Sequence, residues 1–326
     1  MKDIFDKTQL GPLTLKNRIF RASVGDKCIS GKIEEDNLNL YKELAKGGVG
    51  TILTGFTTVE SSDREIVPIF ALDEDSLIPQ HKELTDAVHA MGALIFSQLV
   101  YIGSYTYPAL HKNDKLDLVA PSAVKRIDFD CCPRAATEKE IIEVIEKHAQ
   151  AALRAKKAGY DGIEIHGAHG FFLCQFMTPY YNRREDDWGG SSEKRGRLAL
   201  EIYKAIRLKV GPDFPVLIKV NVREEFQGGV ILDELIELIT KLLALKIDAV
   251  EISGHSWGTI PQDGGAFYLS EAQKIYDRTK AKLILTGGLR TPEQMNKILN
   301  SSGMEYFGMA RPLMKDPNLI NKFKAR

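Results

Sequence analysis

Eight stretches of this chain are apolar at nearly every position and rich in β-branched residues, as strands buried on both faces are. They are IFRAS (19–23), GTILTGFTTV (50–59), ALIFSQLV (93–100), GIEIHGA (162–168), VLIKVNV (216–222), AVEISG (249–254), LILTGG (283–288) and YFGMA (306–310). Amphipathic segments alternate with them. In EIIEVIEKHAQAALRAKKAG (140–159), Ile141, Ile142, Ile145, Ala149, Ala152 and Leu153 are expected to share one helical face. Several of these segments end in glycine, as in LAKGG and KKAGYDG, which suits a C-cap before the next strand. Thr291 followed by Pro292 reads as an N-cap with proline in the first helical position.

Eight strand-and-helix units in one chain predict an α/β fold, a (β/α)8 barrel, in preference to an open doubly wound sheet. Nothing resembling a linker divides residues 1–326, so a single barrel domain is expected. The stretch from Tyr101 to Thr137, which contains APSAV, is too long for an ordinary βα loop. It predicts an excursion after the third strand that lies over the barrel mouth.

Composition narrows the function. The 44 Lys and Arg balance 44 Asp and Glu, which argues against a general nucleic-acid or membrane-surface binder. MKDIFDKTQL has no apolar signal core and no run of about 18 apolar residues occurs, so a cytoplasmic protein is expected. Cys28, Cys131, Cys132 and Cys174 form no C-x-x-C pair and read as free thiols.

In such a barrel the active site lies at the C-terminal strand ends. Those positions hold Ser23, Gly25, Gly55, Gln98, Tyr101, His166, His169, Lys219, His255, Gly287, Gly288, Ala310 and Arg311. Glycines there let a flat ligand approach the backbone. LTGGLRTPEQ and GMARPL, at the seventh and eighth ends, suit a phosphate site built from backbone N–H groups and the Arg311 fork. Lys219, within VLIKVNV, admits three readings: an amine that snorkels to solvent, a cation facing an anion or electron-rich ring, or a Schiff-base nucleophile. His166 and His169 could be a hydrogen-bonded structural pair or metal ligands, although no third ligand at tight spacing is visible. The favoured reading makes them donors aimed at a carbonyl oxygen.

LKNRIFRAS, SQL, APS, GMARPLMKDP and above all IEIHGAHGFFLCQFMTPYYNRREDDWGGSSEKR resemble the Old Yellow Enzyme family of flavin oxidoreductases across essentially the whole chain. The resemblance implies a barrel holding FMN without a covalent bond. It implies hydride transfer from NADH or NADPH through the flavin to the β-carbon of an activated alkene. Matched residue by residue, it implies that Gln98 bonds the flavin's pyrimidine edge and that Lys219 lies near N1/O2, where negative charge collects on reduction. Gly288, Leu289, Ala310 and Arg311 match the phosphate grip, and Ser23, Val24 and Gly55 match backbone contacts to the ring. His166 and His169 match the pair that holds the substrate carbonyl.

The chain also departs from the family pattern. Gly25 stands where many bacterial relatives have a redox-tuning cysteine, and Tyr101 where some have a histidine. Phe171 occupies the place of the tyrosine that protonates the substrate α-carbon. Tyr101 and His255 are the candidate replacement donors, so His166, His169, Tyr101, Phe171 and His255 form the expected substrate site. The chain stops soon after the eighth helix, so electrons are expected from a diffusible nicotinamide, with a small-molecule substrate and self-association left open. Two other functions stay in view: a barrel lyase acting through Lys219, and a flavin-binding relative that has lost ene-reductase chemistry.

Overall fold

The structure, a computed structural model, describes residues 1–26, 28–105, 116–128, 130–254 and 265–325. The eight expected strands are present as β1 (Ile19–Arg21), β2 (Thr51–Thr58), β3 (Leu94–Val100), β4 (Gly162–Gly167), β5 (Val216–Asn221), β6 (Ala249–Ser253), β7 (Leu283–Thr286) and β8 (Tyr306–Met309). Each pairs in parallel with the next, and β8 pairs with β1, so the sheet closes into a barrel. The surrounding helices are α1 (Glu35–Lys46), α2 (Ile78–His89), α3 (Glu138–Lys157), α4 (Ser192–Val210), α5 (Leu232–Ala244), α6 (Leu269–Thr279), α7 (Pro292–Ser301) and α8 (Leu319–Lys324). No helix among the described residues is long and apolar enough to cross a membrane.

Strand periodicity stacks the barrel interior in layers, because side chains two residues apart share a face. The lowest layer is apolar: Phe20, Leu53, Phe96, Leu217, Ala249, Ile284 and Tyr306 pack together. Leu10 and Leu15 close it from below, carried by an antiparallel hairpin of residues 8–10 and 13–15. Gly162 makes room for Phe96, whose ring would lie 2.2 Å from a Cβ placed there. Two residues further along β3 to β7 the layer turns polar, with Gln98, Glu164, Lys219, Glu251 and Thr286. Above it stand His166, Asn221, Ser253 and Gly288. The register of β2 slips between Leu53 and Phe56, which brings Phe56 to within 6.3 Å of the His166 ring, centroid to centroid.

The helix expectation over 140–159 needs one correction. Ile141, Ala149 and Ala152 are buried, but Ile142 is 54% exposed. The buried stripe runs through Ile141, Val144, His148, Ala151, Ala152 and Ala155. Ile142 lies about 100° round from Ile141 and falls off its edge.

The excursion is riveted to the fourth βα loop. Arg126 donates through Nη1 to the Gly170 carbonyl at 2.9 Å and to Ser104 Oγ at 3.0 Å. From the other side Arg184 Nη1 donates to the carbonyls of Pro121 and Ala136 at 2.9 and 2.6 Å. Asn182 Nδ2 donates to the carbonyls of Phe176 and Trp188. The N-R-R-E-D-D-W segment therefore shapes the mouth.

Candidate active site

A cavity of about 320 Å³ opens at the C-terminal ends of the strands. Ser23, Val24, His169, Lys219, Gly288, Leu289, Ala310 and Arg311, all expected site residues, line it. Ser253, Phe267, Tyr268 and Thr286 also line it and were not expected. Gln98 and His166 lie just behind that wall, almost wholly buried.

The geometry suits a flat polar ring carrying a phosphate tail. Ser23 Oγ is buried with no hydrogen-bond partner among the described residues, a vacant valence beside the cavity. Gly287 and Gly288 take φ of 108° and 76°, and a Cβ on Gly288 would lie 1.7 Å from the Gly265 carbonyl oxygen. Such a turn needs glycine and presents bare backbone. Arg311, exposed, lines the same cavity from the end of the neighbouring strand β8.

Lys219 is 2% exposed, and its Nζ lies 2.9 Å from Glu251 Oε1. An amine held in an ion pair is not the free nucleophile an imine requires, so this contact speaks against the lyase reading. Glu251 and Glu164 were not among the expected site residues. Counting back two places from His166 to Glu164, and from Ser253 to Glu251, would have found both.

His166 and His169 face each other with ring centroids 5.1 Å apart and planes at 85°. Burial, and then the nearby His169 and Lys219, hold His166 well below the usual histidine range, so its ring is neutral at physiological pH. Its Nδ1 accepts from the Ala168 N–H at 3.2 Å, which assigns the proton to Nε2. His169 sits at φ +58°, a left-handed turn for a side-chain-bearing residue. Its N–H donates to Asn221 Oδ1 at 3.2 Å, and its Nε2 lies 2.8 Å from Ser253 Oγ. Asn221 and Ser253 thus orient His169.

Other expected positions fall elsewhere. Phe171 is 1% exposed, enclosed by Val67, Ile69, Val100, Ile102 and Tyr105. Tyr101 lies outside the cavity wall, its ring edge-on to Phe172 at 4.8 Å, and burial pushes its hydroxyl pKa up. Gly55 does not line the cavity, and its N–H meets Asp26 Oδ2 at 2.9 Å and Tyr41 OH at 2.7 Å. His255 lies outside the described residues. A Cβ at Gly25 would come within 3.2 Å of the Phe56 ring, so Phe56 fills the space that a side chain there would need.

Comparison with known proteins identifies the family. Residues 3–326 match the NADH:flavin oxidoreductase / NADH oxidase family, and the chain belongs to it. The family's cofactor is FMN. The NADH oxidase of Thermoanaerobacter brockii is 32% identical over 99% of this chain and 50% of its own length. The cinnamate reductase of Clostridium sporogenes is 31% identical over 98% of this chain and 52% of its own. The chain thus spans about half the length of these two relatives. Morphinone reductase superposes with a TM-score of 0.84 at 26% identity, covering 99% of this chain and 89% of that one.

Proposed function

We propose that this chain is an FMN-dependent reductase that takes hydride from NADH or NADPH and delivers it to the β-carbon of an α,β-unsaturated carbonyl compound. The observation that carries this reading is the perpendicular His166–His169 pair beside a phosphate-ready cavity. FMN, when bound, supplies the ring that accepts the hydride and passes it on. Around it, Gly288, Leu289, Ala310 and Arg311 would hold the phosphate, while Ser23 and Val24 would meet the ring through their backbone. Gln98 and Lys219 would hold the pyrimidine edge, where a fixed cation favours the negative charge that reduction brings.

The imidazoles do the polarising. Neutral His166 offers Nε2–H, and His169 offers a second donor to the same carbonyl oxygen, which draws electron density from the β-carbon. A donor that is neutral in the resting protein needs no proton loss before it binds. Cinnamate and morphinone reductases among the relatives agree with a conjugated acceptor.

Phenols test the pair directly, because a phenolate can stack on an oxidised flavin while its oxygen takes both imidazole donors. Phenol binding should produce a long-wavelength charge-transfer band in the parent protein. The His166→Ala/His169→Ala variant should lose that band while keeping FMN. Equal phenol affinity in parent and variant would remove the histidines from the carbonyl clamp.

A further inference from the structure

Among the described residues, the polar layer under the cavity has one cation and two carboxyls. Gln98 Nε2 donates to Glu164 Oε2 at 2.6 Å. Lys219 Nζ pairs with Glu251 Oε1 at 2.9 Å, and Thr286 Oγ1 donates to the same oxygen at 2.7 Å. That leaves Glu164 Oε1 and Glu251 Oε2, both buried, with no hydrogen-bond partner among the described residues. The two side chains lie close enough for one carboxyl to donate to the other once either is protonated. Two bare carboxylate oxygens in that position would repel, whereas a single proton between them satisfies both.

We propose that Glu164 and Glu251 share one proton, so that the layer beneath the cavity is electrically neutral and Lys219 presents a screened charge to the ring above it. The chemistry of the neighbours agrees. Burial first, and then the charge of Glu251, pushes Glu164 well above the ordinary carboxylate range, with Lys219 and Gln98 pulling the other way. No further charge enters this layer from the other described strands: Ala22 just past β1, Gly55 on β2 and Gly308 on β8 carry none. Arg21 pairs with Asp26 instead, at 2.6 Å. His166, the next titratable group up β4, is held neutral.

Glu164 and Glu251 are positioning residues here, acting through Gln98 and Lys219. The electrical consequence rests on the flavin reading above; the shared proton itself does not. Either carboxyl alone can balance Lys219, and that makes the arrangement testable with Glu164→Gln, Glu251→Gln and the double variant. Infrared spectra of the full-length chain, with and without FMN, should contain a protonated-carboxyl C=O band at mildly alkaline pH, above the value of about 7 to which burial pushes Asp63. Each single substitution should remove it, because the surviving carboxyl then ionises against Lys219. The flavin midpoint potential should move little in either single variant and shift upward in the double, where Lys219 loses its last counter-charge. A parent protein without the band, a measurement that needs no variant to fold, would overturn the shared proton. So would an equal upward shift in each single variant, which means that both carboxyls were ionised. Failure to retain FMN would count against the proposed function alone, since the band can be read without it.

Discussion

The Phe171 ring stands edge-on to the His166 imidazole, with centroids 4.8 Å apart and planes at 68°. The side chain that family resemblance assigns to proton donation is therefore a wall of the histidine site. Its surroundings are apolar, and it can help His166 only by excluding water and supporting its neutral form.

Phe171→Tyr should raise the rate at which an enone reoxidises the reduced protein. General acid assistance is typically worth about 10²–10⁴-fold, which sets the ceiling for the gain. Reduction by NADH or NADPH should change much less, because it needs no such proton. Stopped-flow absorbance at the flavin band resolves the two half-reactions. If neither changes, protonation already has another donor, and Tyr101→Phe is the next variant to measure.

Lys219→Met should lower the flavin midpoint potential, since the nearest fixed cation is lost. It should also destabilise the barrel, by about 3–5 kcal/mol, because Glu251 loses its buried partner. A potential that does not move in a fully flavinated variant would remove Lys219 from the pyrimidine edge.

Arg311→Ala should weaken FMN retention by about 1.5–3 kcal/mol, the usual loss for a charged hydrogen-bonding partner. That corresponds to roughly a ten- to hundredfold rise in Kd. Fluorescence titration of released FMN measures it directly. An unchanged Kd would move the phosphate away from this rim.

Two histidines far from the cavity predict acid sensitivity. Burial pushes His81 and His148 down to about 4. The unfolded chain binds their protons below its ordinary value of about 6.5, whereas the folded chain does not until about 4. Each therefore makes stability drop as the pH is lowered through that window, by about 1.4 kcal/mol per pH unit. Asp63, pushed up to about 7 by burial, works in the opposite sense over much of the same range. The clean comparison is His148→Gln against parent in urea titrations at several pH values. The variant should be less acid-sensitive by one histidine's slope, and parallel curves would mean that His148 is not buried in its neutral form.

Much of this architecture was legible because apolar runs and period-two alternation are strong local signals. All eight strands fell within the expected stretches, and the glycine turn at Gly287 and Gly288 was readable from residue type alone. The polar layer was harder. Glu164 and Glu251 sit inside apolar strands, and only the closed barrel reveals that they converge on Lys219. The partners of the Gly55 N–H were equally hidden, because Asp26 and Tyr41 reach it from elsewhere in the chain. Ser253 and Asn221 were missed because their effect passes through His169, whose left-handed backbone no residue type announces.

The most direct test of the account is one anaerobic sequence of spectra on the purified protein loaded with FMN. NADH or NADPH should bleach the flavin band, and a simple enone added afterwards should restore it as the saturated product forms in equal amount. A protein that takes up no FMN, or one whose bleached band stays bleached with enone and returns only with oxygen, would contradict the account.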